Sequence, residues 1–185
     1  MGRGRKNELI LVIVEFLILL NFFLMPFYLV LIFGFECSLL KMLEAKMTSF
    51  FLNLVGAKNS VVENKIIIEN NVFEVSWDST GWKSMYLFFS LIMSTPIFLK
   101  RKWKILFFGL IFLFIINVLR LFTTIYFSII FEIDFEFLHI FLWRYFTSFF
   151  LLLLWFIFLY TQKYNIGETN LLIRRLYGRG RKLKD

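Results

Sequence analysis

The sequence predicts an all-α integral membrane protein with four transmembrane helices, and with an external amphipathic helix and a β-hairpin before the second span. Three observations support this fold class. Hydrophobic residues make up 59% of the 185 residues, more than a soluble domain of this length needs to fill its core. Phe contributes 27 residues and Pro only 2, so the apolar segments can form long uninterrupted helices. The basic residues collect at the ends of these segments.

Four apolar segments are long enough to cross a bilayer, whose core of about 30 Å requires roughly 20 helical residues. Inside lipid each must be helical, because unpaired backbone groups have no water to bind. The predicted spans are about residues 9–33, 82–99, 105–131 and 140–160. The first is too long for the apolar region of a signal peptide and no small-residue cleavage site follows it, so we expect a membrane anchor. We expect residues 1–185 to form one membrane domain.

Lysine and arginine are concentrated on one side of this topology. They precede the first span, join the second span to the third, and follow the fourth. These residues are Arg3, Arg5, Lys6, Lys100, Arg101, Lys102, Lys104 and those of the basic tail, residues 163–185. Basic groups mark the cytoplasmic side, so we expect a multi-pass protein of the cell membrane with both termini in the cytoplasm. The acidic or balanced segments, residues 36–78 and 132–136, are expected outside.

The first half of the external loop, residues 36–78, predicts an amphipathic helix. Apolar residues recur at helical spacing from Leu39 to Leu54, interleaved with Lys41, Glu44 and Lys46. This pattern is typical of a helix that lies on a membrane surface.

The second half of the loop predicts a β-hairpin over residues 65–75. Its strands are rich in Ile, Val and Phe, and we expect the turn at Asn70 and Asn71, two residues that tolerate positive φ. The second strand leads directly to the entrance of the second span.

The net charge and the counts of single residue types exclude several functions. The formal charge is +8, but the basic residues lie at the ends of apolar segments and not on a polar helical face, so we expect no nucleic-acid partner. The one cysteine, Cys37, excludes an internal disulfide and a cysteine-rich metal site. The one histidine, His139, excludes a histidine cluster. We therefore expect no metal and no cofactor.

Arg120 stands out because a charge inside a membrane span is unfavourable and marks a functional candidate. One interpretation is that Arg120 pairs with Glu15 or extends its side chain to water. The other interpretation assigns it to a functional site. Ser79, at the start of the second span, also has two interpretations: such a serine is commonly a helix N-cap, but the amides of a helix beginning near Thr80 would also stabilise an anion there.

His139 opens the fourth span on the predicted external side. A lone histidine at a membrane interface is commonly structural. However, the predicted topology places Ser79, Arg120 and His139 in the outer half of the membrane, although they come from three different spans. This shared depth favours one site built from three helices.

Three motifs resemble those of the archaeosortase and exosortase family. Asp78-Ser-Thr-Gly-Trp-Lys-Ser-Met85, followed by an apolar run ending in Ser94-Thr-Pro96, resembles the family's active-site segment. Ile116-Asn-Val-Leu-Arg120 is similar to its arginine motif, and His139-Ile-Phe-Leu-Trp-Arg144 is similar to its histidine motif. Their order and spacing also match, over about residues 75–160. The resemblance implies a membrane cysteine transpeptidase.

The resemblance also implies the substrates. Members of this family act on exported proteins whose C-terminal sorting signal consists of a short motif, a membrane helix and a basic cluster. They cleave at the motif and, in the archaeal branch, join the new C-terminus to a lipid. The expected partners are therefore such substrate proteins, with a membrane lipid as the possible acceptor.

By the same resemblance, Arg120 and His139 match the second and third catalytic positions, and Ser79 falls where the family has its nucleophilic cysteine. A thiol, with a pKa of about 8.5, is readily converted to thiolate beside a cation, whereas a serine hydroxyl needs a strong, positioned base. Serine here implies either an engineered inactive form or a natural variant that uses serine or has lost activity. Cys37 lies outside the matching motifs.

Candidate substrate-binding residues within these motifs are Asp78, Thr80, Gly81, Lys83 and Arg144. Two other classes of function stay open. The serine permits a non-catalytic membrane module that binds sorting-signal helices. The charges of Glu15, Arg120 and Arg144 suggest a small transporter or channel subunit, although the sequence shows neither an inverted repeat nor a pair of helices broken by Gly or Pro.

Overall fold

The structure is a computed structural model that describes residues 3–95, 99–131 and 135–163. Its helices are α1 (Arg3–Phe33), α2 (Ser38–Leu54), α3 (Trp82–Ser94), α4 (Leu99–Ile130), α5 (Phe135–Phe141) and α6 (Ser148–Lys163), with a π-helical segment (Leu142–Thr147) between the last two. Its strands are β1 (Ser60–Val62), β2 (Lys65–Ile68) and β3 (Asn71–Glu74). A 3-10 turn, Trp77–Thr80, connects the sheet to α3 and is called the Ser79 turn below. Pro96, the acidic residues Glu132 and Asp134, and the basic tail after Lys163 lie outside the described residues.

Two helical segments in the described part of the chain are long and apolar enough to cross a membrane. They are Ile10–Phe33 in α1 and Lys102–Ile130 in α4, which correspond to the first and third predicted spans. α3, with 13 residues, and the apolar part of α6, Ser148–Thr161, are both shorter than these two segments. The predicted helical fold with a small sheet is confirmed, whereas the count of four spans stays a prediction.

The helices of the structure differ from the predicted spans at the junction between the second and the third. Leu99, predicted as the end of the second span, is the first residue of α4, and the basic residues that were predicted to form a loop lie in the first turns of this helix. Lys102 shows why the helix extends this far. Its side chain is buried, and its Nζ donates to the carbonyl of Met93 at 2.7 Å. This places a cation at the C-terminal end of α3, where the helix dipole favours one.

α1 contains Pro26, which lacks an N–H, so one backbone hydrogen bond of this helix is missing. Close to Pro26, side chains of α3 donate to a backbone carbonyl of α1. Tyr86 Oη and Ser90 Oγ donate to the carbonyl of Phe23 at 3.0 and 3.4 Å. Hydrogen bonds of this kind join helices in a membrane, where the hydrophobic effect does not.

α4 carries two hydrophobic cores along its length. The core around its N-terminal half joins α3 and α6 and consists of Phe88, Ile92, Leu106, Leu113, Leu151 and Phe158. The core around its C-terminal half joins α2 and the sheet and consists of Ala45, Leu52, Ile66, Ile68, Val75, Leu121 and Ile125. Residues 116–120 of α4 lie between the two cores. The Ser79 turn contacts α2 and α3 beside this stretch.

The predicted hairpin is present, but its turn lies one residue earlier than predicted. Ile68 pairs with Asn71, so Glu69 and Asn70 form the turn, and Glu69 has a φ of +52°. Asn64 favours this register, because the Val75 N–H donates to the Asn64 carbonyl at 2.9 Å and Asn64 Nδ2 donates to the Val75 carbonyl at 3.0 Å.

Strand β1 was not predicted from the sequence. It pairs antiparallel with β2 through a second two-residue turn, Glu63 and Asn64, where Glu63 has a φ of +57°. Both turns of the sheet therefore consist of Glu followed by Asn, with the glutamate in the left-handed region. Such residues are less common there than Gly or Asn, which explains why the sequence pattern did not indicate them.

α2 packs its polar and small residues against the protein and leaves its apolar stripe exposed. The buried residues are Glu44, Ala45, Thr48, Ser49 and Leu52. The exposed apolar residues are Leu39, Leu43, Met47, Phe50 and Leu54. Glu44, which the sequence pattern groups with Lys41 and Lys46, is thus fully buried in the protein. A helix with this exposed stripe suits the predicted position at a membrane surface, which stays a prediction.

Accessibility of single cysteines tests the predicted topology. In a Cys37→Ser background, Ser60→Cys should react with a membrane-impermeant maleimide on intact cells, because β1 lies in the loop that is predicted to be external. Lys104→Cys and Lys182→Cys should react only after permeabilisation, because basic segments are retained inside. Labelling of Lys104→Cys on intact cells, or protection of Ser60→Cys there, would contradict the topology.

Candidate active site

The Ser79 turn is held by hydrogen bonds among its own residues. Ser79 N donates to the Ser76 carbonyl at 3.0 Å and to Ser76 Oγ at 3.3 Å, and the two serine hydroxyl oxygens lie 2.8 Å apart. Thr80 Oγ1 donates to the Trp77 carbonyl at 2.8 Å. Ser79 is nearly buried, with 8% of its surface exposed. The turn therefore presents residue 79 in a fixed backbone conformation.

α3 begins at Trp82, the first residue of the second predicted span, and its N-cap is Gly81. Ser79 is accordingly not the N-cap of α3, and Ser76 instead caps the 3-10 turn. The indole rings of Trp77 and Trp82 stack with their centroids 5.1 Å apart. This stacking joins the turn to the first residue of α3.

Gly81 allows α4 to approach the turn closely. Its φ is +66°, and a Cβ at this position would lie 2.7 Å from Cγ and Oδ1 of Asn117. No real side chain tolerates that distance without a shift of the neighbour. Gly81, predicted as a substrate-binding residue, thus has a clear packing function against Asn117.

Arg120 and Asn117 converge on one atom, the carbonyl oxygen of Ser79. Arg120 Nη2 donates to this oxygen at 2.6 Å, and Asn117 Nδ2 donates to it at 2.9 Å. The two donors are three residues apart on α4 and therefore share a helical face. The structure thus places the Arg120 guanidinium against the backbone of Ser79, while the predicted site of three converging side chains stays a prediction.

The interpretation that Arg120 extends to water or pairs with Glu15 was wrong. Arg120 is fully buried, and the acidic group that interacts with its charge is Glu44 of α2. Glu44 Oε2 accepts a hydrogen bond from Asn117 Nδ2 at 2.8 Å. Burial raises the pKa of Glu44 to about 8, and the nearby Arg120 charge and the Asn117 hydrogen bond limit that rise.

Sequence reasoning missed Asn117 and Glu44 as site residues. A signal for Asn117 was present, because it precedes Arg120 by three residues within the arginine motif and so lies on the same helical face. Glu44 had no comparable signal. It lies on α2, in the segment predicted to be external, and its burial depends on the packing of α2 against α4.

The guanidinium of Arg120 retains donors for a ligand. Among the described residues, Arg120 Nε and Nη1 have no hydrogen-bond partner, although an arginine side chain carries five N–H donors. Buried donors of this kind favour a carbonyl oxygen or an anion as their acceptor. The arrangement is therefore suited to stabilising negative charge beside residue 79.

The other predicted substrate-binding residues of this segment differ in their exposure. Asp78 Oδ1 and Lys83 Nζ form an ion pair of 2.8 Å at the protein surface, with the Asp78 side chain well exposed. Such a surface pair contributes little to stability. Because both side chains are at least partly exposed, both groups are accessible to a substrate. Thr80 is fully buried, and its hydroxyl bonds to the backbone of its own turn.

The backbone of His139 lies in α5, and that of Arg144 lies in the π-helical segment. Both elements pack against α4, the helix that carries Arg120. The side chains of His139 and Arg144 lie outside the described part of the structure, so their predicted functions stay predictions. π-Helical segments occur frequently at functional sites.

Comparison with known proteins identifies a protein family. The family model described as transmembrane exosortase matches residues 8–157. The match extends from α1 into α6 and includes positions 79, 120 and 139. No curated protein and no solved structure matches the chain.

Substitution of Gly81 tests the close contact with Asn117. Gly81→Ala should lower the melting temperature more than Gly56→Ala, because Gly56 also has a positive φ, +84°, but a Cβ there has no atom within 4 Å. The extra loss should be about 1–3 kcal/mol from the forced displacement of Asn117, or several degrees in a thermal melt. Equal losses for the two variants would show that backbone strain alone acts at Gly81.

Proposed function

The chain belongs to the transmembrane exosortase family, and on this basis we propose that it is a membrane transpeptidase that cleaves the C-terminal sorting signal of exported, membrane-anchored proteins. In this proposal the enzyme transfers the new C-terminus to a lipid or a similar acceptor. Family membership supports a sortase-like transpeptidase at the level of the family. For this chain the supporting observation is the 2.6 Å hydrogen bond from Arg120 to the carbonyl of Ser79, which joins two motifs from different helices.

The first half of the proposed reaction requires cysteine at position 79. Its thiolate attacks the scissile carbonyl carbon, the sulfur–carbon bond forms, and the π electrons move to the carbonyl oxygen. The oxyanion then collapses and the carbon–nitrogen bond breaks. His139 gives a proton to the leaving amine, and the substrate remains on the enzyme as a thioester.

The second half transfers the acyl group to the acceptor. His139, now neutral, removes a proton from the acceptor hydroxyl or amine, which attacks the thioester carbon. The sulfur–carbon bond breaks and the thiolate is released. The proton that His139 gave to the leaving group is thereby replaced, so enzyme and charges return to their starting state.

Arg120 suits the stabilisation of the thiolate or the oxyanion. Its charge is fully buried, where electrostatic interactions are stronger than in water. Because the bond to the Ser79 carbonyl already fixes the guanidinium, little reorganisation is needed when the negative charge develops. Nε and Nη1 are the donors for this purpose.

The present chain, with Ser79, is proposed to be inactive. Among the described residues, the hydrogen-bond partner of the Ser79 hydroxyl is the hydroxyl of Ser76 at 2.8 Å, which is not a base. A serine nucleophile needs a general base within hydrogen-bond reach. The serine is consistent with an engineered inactive form and with a natural variant that has lost activity.

The same observation favours one other candidate function, a non-catalytic membrane module that binds sorting-signal helices. Such a module needs the exposed Asp78 and Lys83 pair and the external elements for recognition, but it needs no nucleophile. It predicts stable co-purification with sorting-signal helices whichever residue occupies position 79.

Restoring the cysteine tests the transpeptidase. Ser79→Cys should cleave a co-expressed membrane protein that carries a C-terminal sorting signal, because it puts a thiol on the residue whose backbone carbonyl binds Arg120. Adding Arg120→Met should lower the cleavage rate by about 10²–10³-fold, the effect of removing a donor that stabilises an oxyanion. Mobility of the substrate on a gel and the mass of its new C-terminus are the measurements.

Cys37→Ser in the same chain is the matched control and should leave cleavage unchanged. An uncleaved substrate, with Ser79→Cys folded and inserted, would contradict the transpeptidase. Co-purification of that uncleaved substrate with both the serine and the cysteine forms would then support the binding module.

A further inference from the structure

Glu44 is a fully buried carboxyl group that the proposed reaction does not use. It lies on α2, outside the three motifs, and its Oε2 accepts a hydrogen bond from Asn117 Nδ2 at 2.8 Å. Its charge and that of Arg120 interact across the interface between α2 and α4. A buried carboxyl group is unfavourable unless it has such partners.

Asn117 connects this carboxyl group to the Ser79 turn. The same Nδ2 group that donates to Glu44 also donates to the Ser79 carbonyl at 2.9 Å. Arg120 Nη2 donates to that carbonyl at 2.6 Å. Glu44, Asn117, Arg120 and the backbone of Ser79 therefore form one continuous buried cluster, contributed by α2, α4 and the Ser79 turn.

We propose that Glu44 is a positioning residue of the active site, which fixes the carbonyl of residue 79 through Asn117 and modulates the electrostatic effect of Arg120 on the nucleophile. Its importance for catalysis rests on the proposed function. If Glu44 has this function, the active site includes a residue of α2, in the loop that is predicted to be external.

Among the described residues on the elements packed against α2, Arg120 is the charged group that acts on Glu44. Charged groups of the Ser79 turn and of the sheet pair at the surface. In the Ser79 turn, Asp78 is exposed and pairs with Lys83 at the surface. In the sheet, Lys65 Nζ and Glu74 Oε2 lie 3.8 Å apart, with both side chains about half exposed or more. A change at Glu44 should therefore act on the nucleophile chiefly through the Arg120 cluster.

The pH dependence of thiol alkylation tests this proposal without any substrate. The parent chain carries Cys37→Ser and Ser79→Cys, and the rate of alkylation by iodoacetamide is measured from pH 6 to pH 10. Above about pH 8 the Glu44 carboxyl group is ionised, and its negative charge opposes formation of the neighbouring thiolate. Glu44→Gln removes that charge and keeps an acceptor for Asn117. The midpoint of alkylation should therefore become more acidic by about half a pH unit or more.

Glu74→Gln is the matched control, since it removes an equivalent charge from the exposed face of the sheet, and it should leave the midpoint unchanged. A purely structural function of Glu44 would not produce an acidic shift. An unchanged or more alkaline midpoint in folded Glu44→Gln would overturn the proposal.

A second variant tests the positioning effect without changing any charge, and it decides the matter should Glu44→Gln not fold. Asn117→Ser has a side chain too short to reach both Glu44 and the Ser79 carbonyl. The turn should loosen, and the limiting alkylation rate at high pH should rise by about threefold or more, because local opening exposes residue 79. An unchanged limiting rate would overturn the proposal.

These results are independent of the transpeptidase assay. An acidic shift in Glu44→Gln, together with a Ser79→Cys chain that cleaves no sorting signal, would support the positioning function of Glu44 and reject the proposed reaction. Cleavage by Ser79→Cys, without any effect of Glu44→Gln or Asn117→Ser on alkylation, would reject the positioning function and leave the reaction intact.

Discussion

The bond from the buried Arg120 guanidinium to the carbonyl of residue 79 is the constraint on which the rest of the structure depends. A buried cation is stable only with hydrogen-bond acceptors and a countercharge. The Ser79 turn supplies the acceptor, and Glu44 supplies the countercharge when its carboxyl group is ionised, above about pH 8. The turn, α2 and the central part of α4 must therefore be in place together before the charge of Arg120 can be buried.

The two hydrophobic cores explain how the chain meets this constraint. One core joins the N-terminal half of α4 to α3 and α6, and the other joins its C-terminal half to α2 and the sheet. The polar cluster lies between them, so apolar packing on both sides keeps it from water. Gly81 allows α3 to start close enough to α4 for Asn117 to reach the turn. A dry, preorganised cation beside the nucleophile position is the feature that the proposed chemistry requires.

Sequence reasoning predicted the parts of this arrangement that depend on local patterns. The apolar lengths predicted α1 and α4, and the motifs brought Ser79 and Arg120 into one site. It missed the features that depend on tertiary contacts. The buried face of α2, with Glu44 on it, depends on α4. The register of the hairpin depends on bonds between Asn64 and Val75, and the start of α4 depends on where Lys102 finds its acceptor. None of these contacts has a period that can be detected along the chain.

Cross-linking in native membranes tests most directly whether three helices share one site. Cysteine pairs are introduced at positions 79 and 139 in a Cys37→Ser chain and treated with a short bifunctional thiol reagent. The pair Ser79→Cys and Asn117→Cys is the positive control, and Ser79→Cys with Thr161→Cys is the negative control. A cross-link between positions 79 and 139 as efficient as the positive control is the predicted result. Its absence, with the positive control intact, would separate His139 from the Arg120 cluster and contradict the three-helix site.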